Sequence, residues 1–391
     1  MKSYICIHGH YYQPPRENAW LEVIERQESA FPYHNWNARI AAECYGPNGA
    51  SRILNEENKI IDIVNNYQDI SFNFGPTLLS WMELYDKDAY EAVIMADMKS
   101  RQRFGGHGNA LAQVYNHIIM PLATPRDRNT QIIWGIADFE KRFNRKPEGM
   151  WLAETAVDTV ILELLAQHNI LFTILAPRQA KAFRKLNDDQ WQTINENQLD
   201  TAIPYAYKLP SGRTIALFFY NGQISREVAF NGLLNSGKLF ADRLIVATRD
   251  TEQPQLIHIA TDGESYGHHH YRGDMALASC IDYLKKNKSV TLTNYGEFLA
   301  KFPPQYEIQI HENSSWSCVH GVERWRSNCG CSDGGNPGFH QQWRAPLRNA
   351  LNWLKEKADV VFETEMLPFT PSPWDLRNHY IDIVNNRTES V

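Results

Sequence analysis

The amino-acid sequence predicts an α/β fold in which a parallel sheet closes into a barrel and a helical region follows. Short apolar runs rich in β-branched and aromatic residues alternate with amphipathic stretches over residues 1–304, and such alternation is typical of a parallel sheet. The number of these units favours a closed barrel over an open sheet. The alternation then stops, so we expect a barrel over residues 1–304 and an aromatic loop with helices over residues 305–391.

Individual elements follow from local patterns. The short, apolar runs predicted to be strands are residues 4–7, 70–74, 149–152, 172–175, 214–220, 256–260 and 290–292. Residues 130–143 and 157–168 repeat apolar side chains at steps of three and four, which predicts helices. The polar residues 186–201 interrupt the pattern and are predicted to be a surface insertion. Residues 341–357 and 374–385 are predicted to be helices.

Composition and charge exclude several classes of protein. A content of 43% hydrophobic and 21% charged residues is typical of folded globular chains. The net charge of −6 and the lack of a basic run argue against a nucleic-acid partner. Apolar runs fall short of the roughly 20 residues that cross a bilayer, and no signal peptide is visible, so we expect a cytoplasmic protein without a membrane partner. Six cysteines are ordinary for a reducing compartment.

Two histidines follow the first predicted strand. His8 and His10 stand two residues apart and are followed by Gln13. In a parallel barrel the loops after the strands form the active-site face, so these residues indicate ligand contact. Side chains two residues apart on a strand point the same way, which would also suit a metal. A buried pair that anchors the loop is the alternative.

Three carboxylates stand at predicted strand ends. Glu154 follows Trp151 where a strand gives way to a helix, and nearby backbone N–H groups favour the ionised form that a nucleophile needs. Asp262 and Glu264 flank a glycine on a tight turn. Acids on two strand ends are the layout that two-carboxylate glycoside hydrolysis requires. The alternatives are a helix cap for Glu154 and a charged loop for the other pair.

Polar residues at four-residue spacing form a further motif. Asn109, Gln113 and His117 would share one face of a helix. Apolar neighbours crowd the same segment, so we expect this stripe to face a cleft rather than solvent.

The segment after residue 314 is rich in Ser, Gly, Cys and Trp. We expect Trp316 and Trp325 to lie on a loop over the cleft and to stack on sugar rings, with core packing as the alternative. The same segment contains a possible Cys₃His zinc site, formed by Cys318, His320, Cys329 and Cys331. The usual Cys-x₂-Cys spacing is missing, so no metal is assigned and the question stays open.

In their order and spacing, these motifs resemble those of glycoside hydrolase family 57. The resemblance covers most of the chain, and the Thr-Asp-Gly-Glu turn at residues 261–264 matches well. It implies a distorted (β/α)₇ TIM-like barrel with a helical region closing the cleft. It also implies a retaining enzyme acting on α-glucans, as α-amylases, 4-α-glucanotransferases and branching enzymes do. No cofactor or metal is expected.

The resemblance also implies residue roles. By position, Glu154 matches the nucleophile and Asp262 the general acid/base. An α-glucan or oligosaccharide is the expected partner. The expected substrate-binding residues are His8, His10, Gln13, Asn109, His117, Trp151, Glu264, Trp316 and Trp325.

Two other hypotheses remain open. The first is a zinc-dependent hydrolase of the α-mannosidase type, whose candidate ligands would be His8, His10, Asp158, His268, His269 and His270. Tightly held stoichiometric zinc would favour it. The second is a glucan-binding protein that has kept the fold and lost turnover. The presence of both Glu154 and Asp262 argues against this second hypothesis.

Overall fold

A computed structural model describes residues 3–332, 335–336 and 338–386. The strands are β1 (Ser3–Tyr11), β2 (Ser51–Leu54), β3 (Ile60–Val64), β4 (Ser71–Phe74), β5 (Ala112–Gln113), β6 (Met150–Trp151), β7 (Phe172–Leu175), β8 (Ala180–Lys185), β9 (Gln192–Thr193), β10 (Tyr205–Lys208), β11 (Thr214–Phe219), β12 (Leu256–Asp262), β13 (Val290–Leu292) and β14 (Tyr306–Ile310).

The helices alternate with these strands through the first three quarters of the chain and then follow one another. They are α1 (Trp36–Ile40), α2 (Gly46–Gly49), α3 (Pro76–Tyr85), α4 (Lys87–Arg103), α5 (Pro125–Phe143), α6 (Thr159–Gln167), α7 (Gly222–Phe230), α8 (Gly237–Val246), α9 (Gly273–Lys286), α10 (Tyr295–Lys301), α11 (Arg344–Met366), α12 (Pro373–His379) and α13 (Ile381–Asn385). All seven predicted strands and all four predicted helices are confirmed to within a few residues, except that α11 extends further and that α12 and α13 divide the last helix.

Strand β1 lies at the centre of the fold. It pairs in parallel with β12 along one edge and with β4 and β13 along the other. Its register places His10 beside Asp262. Since parallel strands end at the same edge of a sheet, the carboxyl ends of β1, β4 and β12 lie together.

The parallel series continues from β4 to β11. Single bridges at Phe72–Ala110 and Gly149–Phe172, with the β5–β6 and β7–β11 ladders, give the order β12-β1-β4-β5-β6-β7-β11. These strands are largely buried, as expected for a parallel sheet covered on both faces. The fold is therefore α/β and barrel-like.

The predicted closed barrel is wrong in one respect, because no ladder joins β11 to β12 in the described part of the chain. The backbone N–H of Asn221 donates to the carbonyl of His258 at 2.8 Å across this gap. The physical reason is that β11 has another neighbour: its second edge pairs with the antiparallel strand β10. From β10 the sheet continues through β14, β8 and β9, so the barrel stays open.

The segment containing Asn109 and His117 is not a helix. It holds β5 and turns instead, so the predicted polar helix face is wrong. Helix α4 ends at Arg103, and Gly105 and Gly106 follow with φ values of 63° and 103° that a helix cannot continue through. The chain then pairs with β6, so its polar residues are placed by strand geometry.

The carboxy-terminal helices pack on the outer helix α5. Arg377 pairs with Asp127 at 2.8 Å, and the Trp134 indole donates to the carbonyl of Asn378 at 3.0 Å. Strand β14, beyond residue 304, belongs to the larger sheet. These contacts hold the helices beside α5.

Among the described residues, no helix combines the length and the hydrophobicity that crossing a bilayer requires.

Candidate active site

Glu154 lies in a short 3₁₀ turn between β6 and α6 (Ala153–Thr155). Glu154 and Thr155 have φ values of 58° and 51°. Two consecutive non-glycine residues in the left-handed region cost about 1–3 kcal/mol each, and such strain is typical of functional sites. The turn persists because surrounding contacts fix it.

Gln179 supplies the contacts that fix this turn. Its side chain accepts from the Thr155 hydroxyl at 2.8 Å and donates to the Thr155 carbonyl at 2.8 Å. It also donates to the Ser314 hydroxyl at 3.2 Å. Gln179 is fully buried, so one amide connects the turn to the segment that begins at Ser314. No sequence motif pointed to this residue.

Two side chains hold the carboxylate of Glu154. The Trp316 indole N–H donates to Oε2 at 2.9 Å, and the Ser317 hydroxyl donates to the same oxygen at 2.6 Å. The backbone N–H of Trp316 donates to the Glu154 carbonyl at 3.0 Å. Two donors on Oε2 stabilise negative charge on that oxygen. Neither of these two donors contacts Oε1.

Asp262 and Glu264 lie at the carboxyl end of β12. Gly263 between them packs against the ring of Tyr11, and a Cβ atom at this position would lie 2.2 Å from a ring carbon. Only glycine allows this approach. The following 3₁₀ turn, Gly263–Tyr266, holds Glu264 beside Asp262.

Burial and charge raise the pKa of both acids. Asp262 is exposed to the solvent in the cavity, but the surrounding protein removes much of the water around its carboxyl group. This desolvation, followed by the charge of Glu154, raises the pKa of Asp262 to about 6. Burial, followed by the charge of Asp262, raises the pKa of Glu264 to about 7. Glu264 accepts from the Tyr45 hydroxyl at 2.6 Å and from the Tyr12 N–H at 3.2 Å.

All three carboxylates open into one cavity of about 350 Å³, a size within the range of small-ligand sites. The residues that line it are His10, Tyr12, Gln13, Trp36, Ile40, His117, Glu154, Asp262, Glu264, His268 and His269. The cavity thus combines acids, imidazoles and aromatic faces, which are groups that can bind a polyhydroxylated ligand.

Asn73 hydrogen-bonds His10, which lines the cavity, and His8 behind it. Its amide nitrogen donates to Nδ1 of His10 at 2.8 Å and to Oε1 of Gln113 at 2.6 Å. Its amide oxygen accepts from Nε2 of His8 at 3.1 Å. His10 is therefore protonated at Nε2, which donates to Nε2 of His117 at 2.9 Å. An asparagine in a predicted apolar strand was a signal that sequence reasoning missed.

The imidazoles in this network are neutral at neutral pH. Burial lowers the pKa of His8 to about 3 and that of His117 to about 4. Burial, and then the neighbouring His117 and His8, hold the pKa of His10 well below its usual range. Neutral rings can donate and accept hydrogen bonds at once, which suits recognition of hydroxyl groups.

Several predicted site residues lie behind the cavity wall. His8, Asn109 and Trp151 are buried, with at most 1% of their surfaces exposed. Trp151 stacks on both His8 and His10 with ring centroids 5.0 Å apart. Trp151 thus supports His10 directly and His8 does so through Asn73, whereas the Asn109 side chain bonds the Tyr67 carbonyl and Asn294 instead. The structure brings together at the cavity His10, Gln13, His117, Glu154, Asp262 and Glu264.

The two predicted loop tryptophans occupy different places. Trp316 packs edge-on against His10, Trp151 and Tyr220 with its N–H on Glu154. Trp325 lines a second groove of about 810 Å³ between α11 and residues 117–127. This groove also contacts His117, so it adjoins the first cavity.

The ligand set expected for a mannosidase-type zinc centre is dispersed. Asp158 caps α6 and pairs with Arg128 at 3.1 Å, His268 pairs with Glu43, and His270 bonds the Ala229 carbonyl at 3.0 Å. In the described part of the chain, the one group of at least three His, Cys, Asp or Glu side chains that could hold a metal is Cys318, His320, Cys329 and Cys331. It lies outside the cavity lining.

Solved structures share this fold. A maltose-forming amylase from Pyrococcus sp. ST04 is 16% identical with a TM-score of 0.72, over 97% of this chain and 66% of that one. A 4-alpha-glucanotransferase from Thermococcus litoralis is 14% identical with a TM-score of 0.59, over 94% and 48%. The chain thus spans about two thirds and about half of these proteins. A branching enzyme from Thermococcus kodakaraensis is 16% identical with a TM-score of 0.59, over 83% and 76%.

Two family models match the sequence. Residues 339–391, which include the described helices α11, α12 and α13, match a domain of unknown function (DUF3536). A comparison with curated protein sequences gave no match. Residues 17–311, which contain Glu154, Asp262 and most of the cavity, match the model for glycosyl hydrolase family 57. The chain therefore belongs to glycosyl hydrolase family 57.

Proposed function

We propose that this protein is a retaining glycoside hydrolase or glucanotransferase that acts on α-glucans or their oligosaccharides. The observation that carries the proposal is that Glu154 and Asp262 line one cavity and that the charge of Glu154 contributes to raising the pKa of Asp262. Two carboxyl groups whose environments differ in this way suit an acid and a nucleophile.

In the first step, Asp262 gives its proton to the glycosidic oxygen and the leaving sugar departs. Glu154 attacks the anomeric carbon, forming a glycosyl-enzyme ester. The Trp316 and Ser317 donors hold Oε2, which leaves Oε1 as the attacking oxygen. Donors that hold the carboxylate in a fixed orientation favour this attack.

In the second step, Asp262 acts as a base. Its carboxylate takes the proton of an incoming water or sugar hydroxyl, whose oxygen attacks the anomeric carbon and releases Glu154. Water gives hydrolysis and a sugar hydroxyl gives transfer, since both use the same two carboxylates. The neighbouring Glu264, held by Tyr45, is proposed to bind a substrate hydroxyl.

The remaining substrate-binding roles follow from position. His10, Gln13 and His117 line the cavity and are proposed to bind hydroxyl groups of the cleaved sugar. The adjoining groove carries Trp325 and Trp343, and we place further sugar units of an oligosaccharide there. His8 and Trp151 are proposed to act by holding His10 in place, and Asn109, which bonds Tyr67 and Asn294, is given no contact with substrate.

Product analysis tests the proposal. The purified chain is incubated with maltooligosaccharides of defined length, and the products are separated by chromatography. Shorter products alone indicate hydrolysis, a ladder of longer and shorter products indicates transfer, and new branch points indicate branching. Glu154→Gln serves as the inactive variant and Glu140→Gln, an exposed carboxylate on α5, as the matched control. Binding without any product from the native chain would overturn the proposal in favour of a glucan-binding protein.

A further inference from the structure

A cluster of thiols and one imidazole lies outside the proposed catalytic machinery. Its four members, the Cys₃His cluster, are Cys318, His320, Cys329 and Cys331. Each offers one ligand atom, and these atoms all lie within 4.8 Å of one another. We propose that the Cys₃His cluster binds one structural zinc ion and thereby fixes the loop that carries Trp316 and Ser317.

The distances match a tetrahedral zinc site. Sγ of Cys318 lies 4.0 Å from Sγ of Cys329 and 3.8 Å from Sγ of Cys331. Zn–S bonds of about 2.3 Å at tetrahedral angles place two sulfurs about 3.8 Å apart. Nδ1 of His320 lies 3.4 Å from Sγ of Cys331, and a Zn–N bond of about 2.0–2.1 Å gives a separation of about 3.5 Å.

Disulfide bonds do not account for this geometry. All three thiols are free, and bonded sulfurs would lie about 2.05 Å apart. Four ligand atoms so close together have room for a single ion. Three sulfurs and one nitrogen in a tetrahedron are the ligands of structural zinc sites, which are closed and bind no substrate.

Local structure brings the ligands to one point. Gly330 separates two of the cysteines and has a φ of 78°. A left-handed residue turns the chain back, and glycine adopts it without strain, so the side chains on either side reach the same ion. Nη1 of Arg344, the first residue of α11, lies 3.9 Å from Sγ of Cys329. Three thiolates on Zn²⁺ leave one negative charge, which this guanidinium partly offsets.

The cluster is adjacent to the donors on Glu154. Ser317 directly precedes Cys318, and Arg324 donates to the Ser317 carbonyl at 3.1 Å. Between the two ligand pairs, the described chain has one short 3₁₀ turn, Glu323–Trp325, and no strand. Such a segment buries little apolar surface, and a metal ion supplies the stability that its packing does not. The zinc site therefore positions Ser317 and Trp316.

Metal analysis tests the site itself, and it needs no catalytic activity, so its outcome is independent of the proposed function. The full chain is produced with zinc in the medium, purified without chelators and measured by mass spectrometry of metals. We expect one zinc per chain in the native protein and in Cys280→Ser, a buried thiol outside the cluster, and a loss of zinc in Cys329→Ser and Cys331→Ser. Equal zinc in all four proteins would overturn the assignment.

Cobalt substitution keeps the test decisive if the serine variants fold poorly. The native protein stripped of metal and loaded with Co²⁺ should show thiolate-to-cobalt charge-transfer absorption and the intense visible bands of a tetrahedral site. Absence of bound cobalt, bands of an octahedral site, or a disulfide among the three cysteines would contradict the proposal.

Limited proteolysis tests the effect on the loop. Arg324 and Arg326 lie between the two ligand pairs, so trypsin can report on this segment directly. Removing the metal should raise the rate of cleavage at these arginines at least about tenfold, because local unfolding exposes them, and added zinc should restore protection. Cleavage rates that are the same with and without metal would overturn the positioning role.

Discussion

Trp316 holds Glu154 twice: its indole N–H donates to the Glu154 carboxylate at 2.9 Å, and its backbone N–H donates to the Glu154 carbonyl at 3.0 Å. A loop far along the chain thus fixes both the side chain and the backbone of a strained residue in the cavity.

Trp316→Phe should lower kcat more than it changes KM. The substitution keeps an aromatic ring against His10 and Trp151 but removes one hydrogen bond to a charged group, which contributes about 1.5–3 kcal/mol. We therefore expect kcat to fall about 10- to 100-fold, measured on a maltooligosaccharide. The matched control is Trp81→Phe, a buried tryptophan on α3. A large rise in KM at constant kcat would show that Trp316 mainly stacks on sugar.

Glu154→Gln should abolish turnover while substrate binding survives. Glutamine keeps the shape and both acceptor contacts on its amide oxygen, but it cannot form the ester with the anomeric carbon. The expected loss in kcat is about 10³-fold or more, with a calorimetric Kd within about threefold of the native value. Near-normal turnover would assign the attack to another group.

The pH profile should follow Asp262. Its pKa of about 6 means that the acid loses its proton as the pH rises through 6, so the first step should slow on the alkaline side. Asp262→Asn should lose this alkaline limb while an aryl glycoside with a good leaving group still reacts in the first step. Steady-state rates between pH 4 and 9 measure both profiles. An unchanged limb in the variant would remove Asp262 from the role.

Acid should destabilise the protein through its buried imidazoles. His8 has a pKa of about 3 when folded and 6.5 as its ordinary value, so below pH 6.5 the unfolded chain binds a proton that the folded chain does not. The stability this histidine contributes is fully present above pH 6.5 and is lost as the pH falls toward 3, by about 1.4 kcal/mol per pH unit. Urea unfolding of the native protein and His8→Gln should show this difference in slope. Parallel curves would contradict it.

Trp325→Ala should distinguish long substrates from short ones. Trp325 lines the outer groove and not the cavity, so its loss should raise KM for long maltooligosaccharides several-fold and leave the shortest cleaved substrate unaffected. The loss of one stacking face is worth about 0.5–1.5 kcal/mol. Equal effects on both substrates would place Trp325 outside the substrate path.

Much of the fold was predictable because its strands are defined by local pattern. The runs that become β4, β7 and β11 are short and mostly apolar, and this is enough to predict a buried strand whatever its neighbours are. The positions of Glu154 and Asp262 were predictable for the same reason, since each follows a strand whose carboxyl end must lie at one edge of the sheet. The sequence by itself therefore determined where these strands lie along the chain, the α/β class of the fold and the strand ends that carry Glu154 and Asp262.

Tertiary structure decided what depends on partners distant in the chain. The barrel stays open because β10 occupies the edge of β11, and residues 109–117 form a strand and turns because β6 pairs with them. The left-handed φ of Glu154 exists because buried Gln179 fixes the turn. The sulfurs of Cys318 and Cys331 lie 3.8 Å apart although the sequence lacks the Cys-x₂-Cys spacing that is usual in zinc sites. In each case the observed conformation is stabilised by contacts between segments that come together only on folding. A local sequence pattern does not contain such contacts.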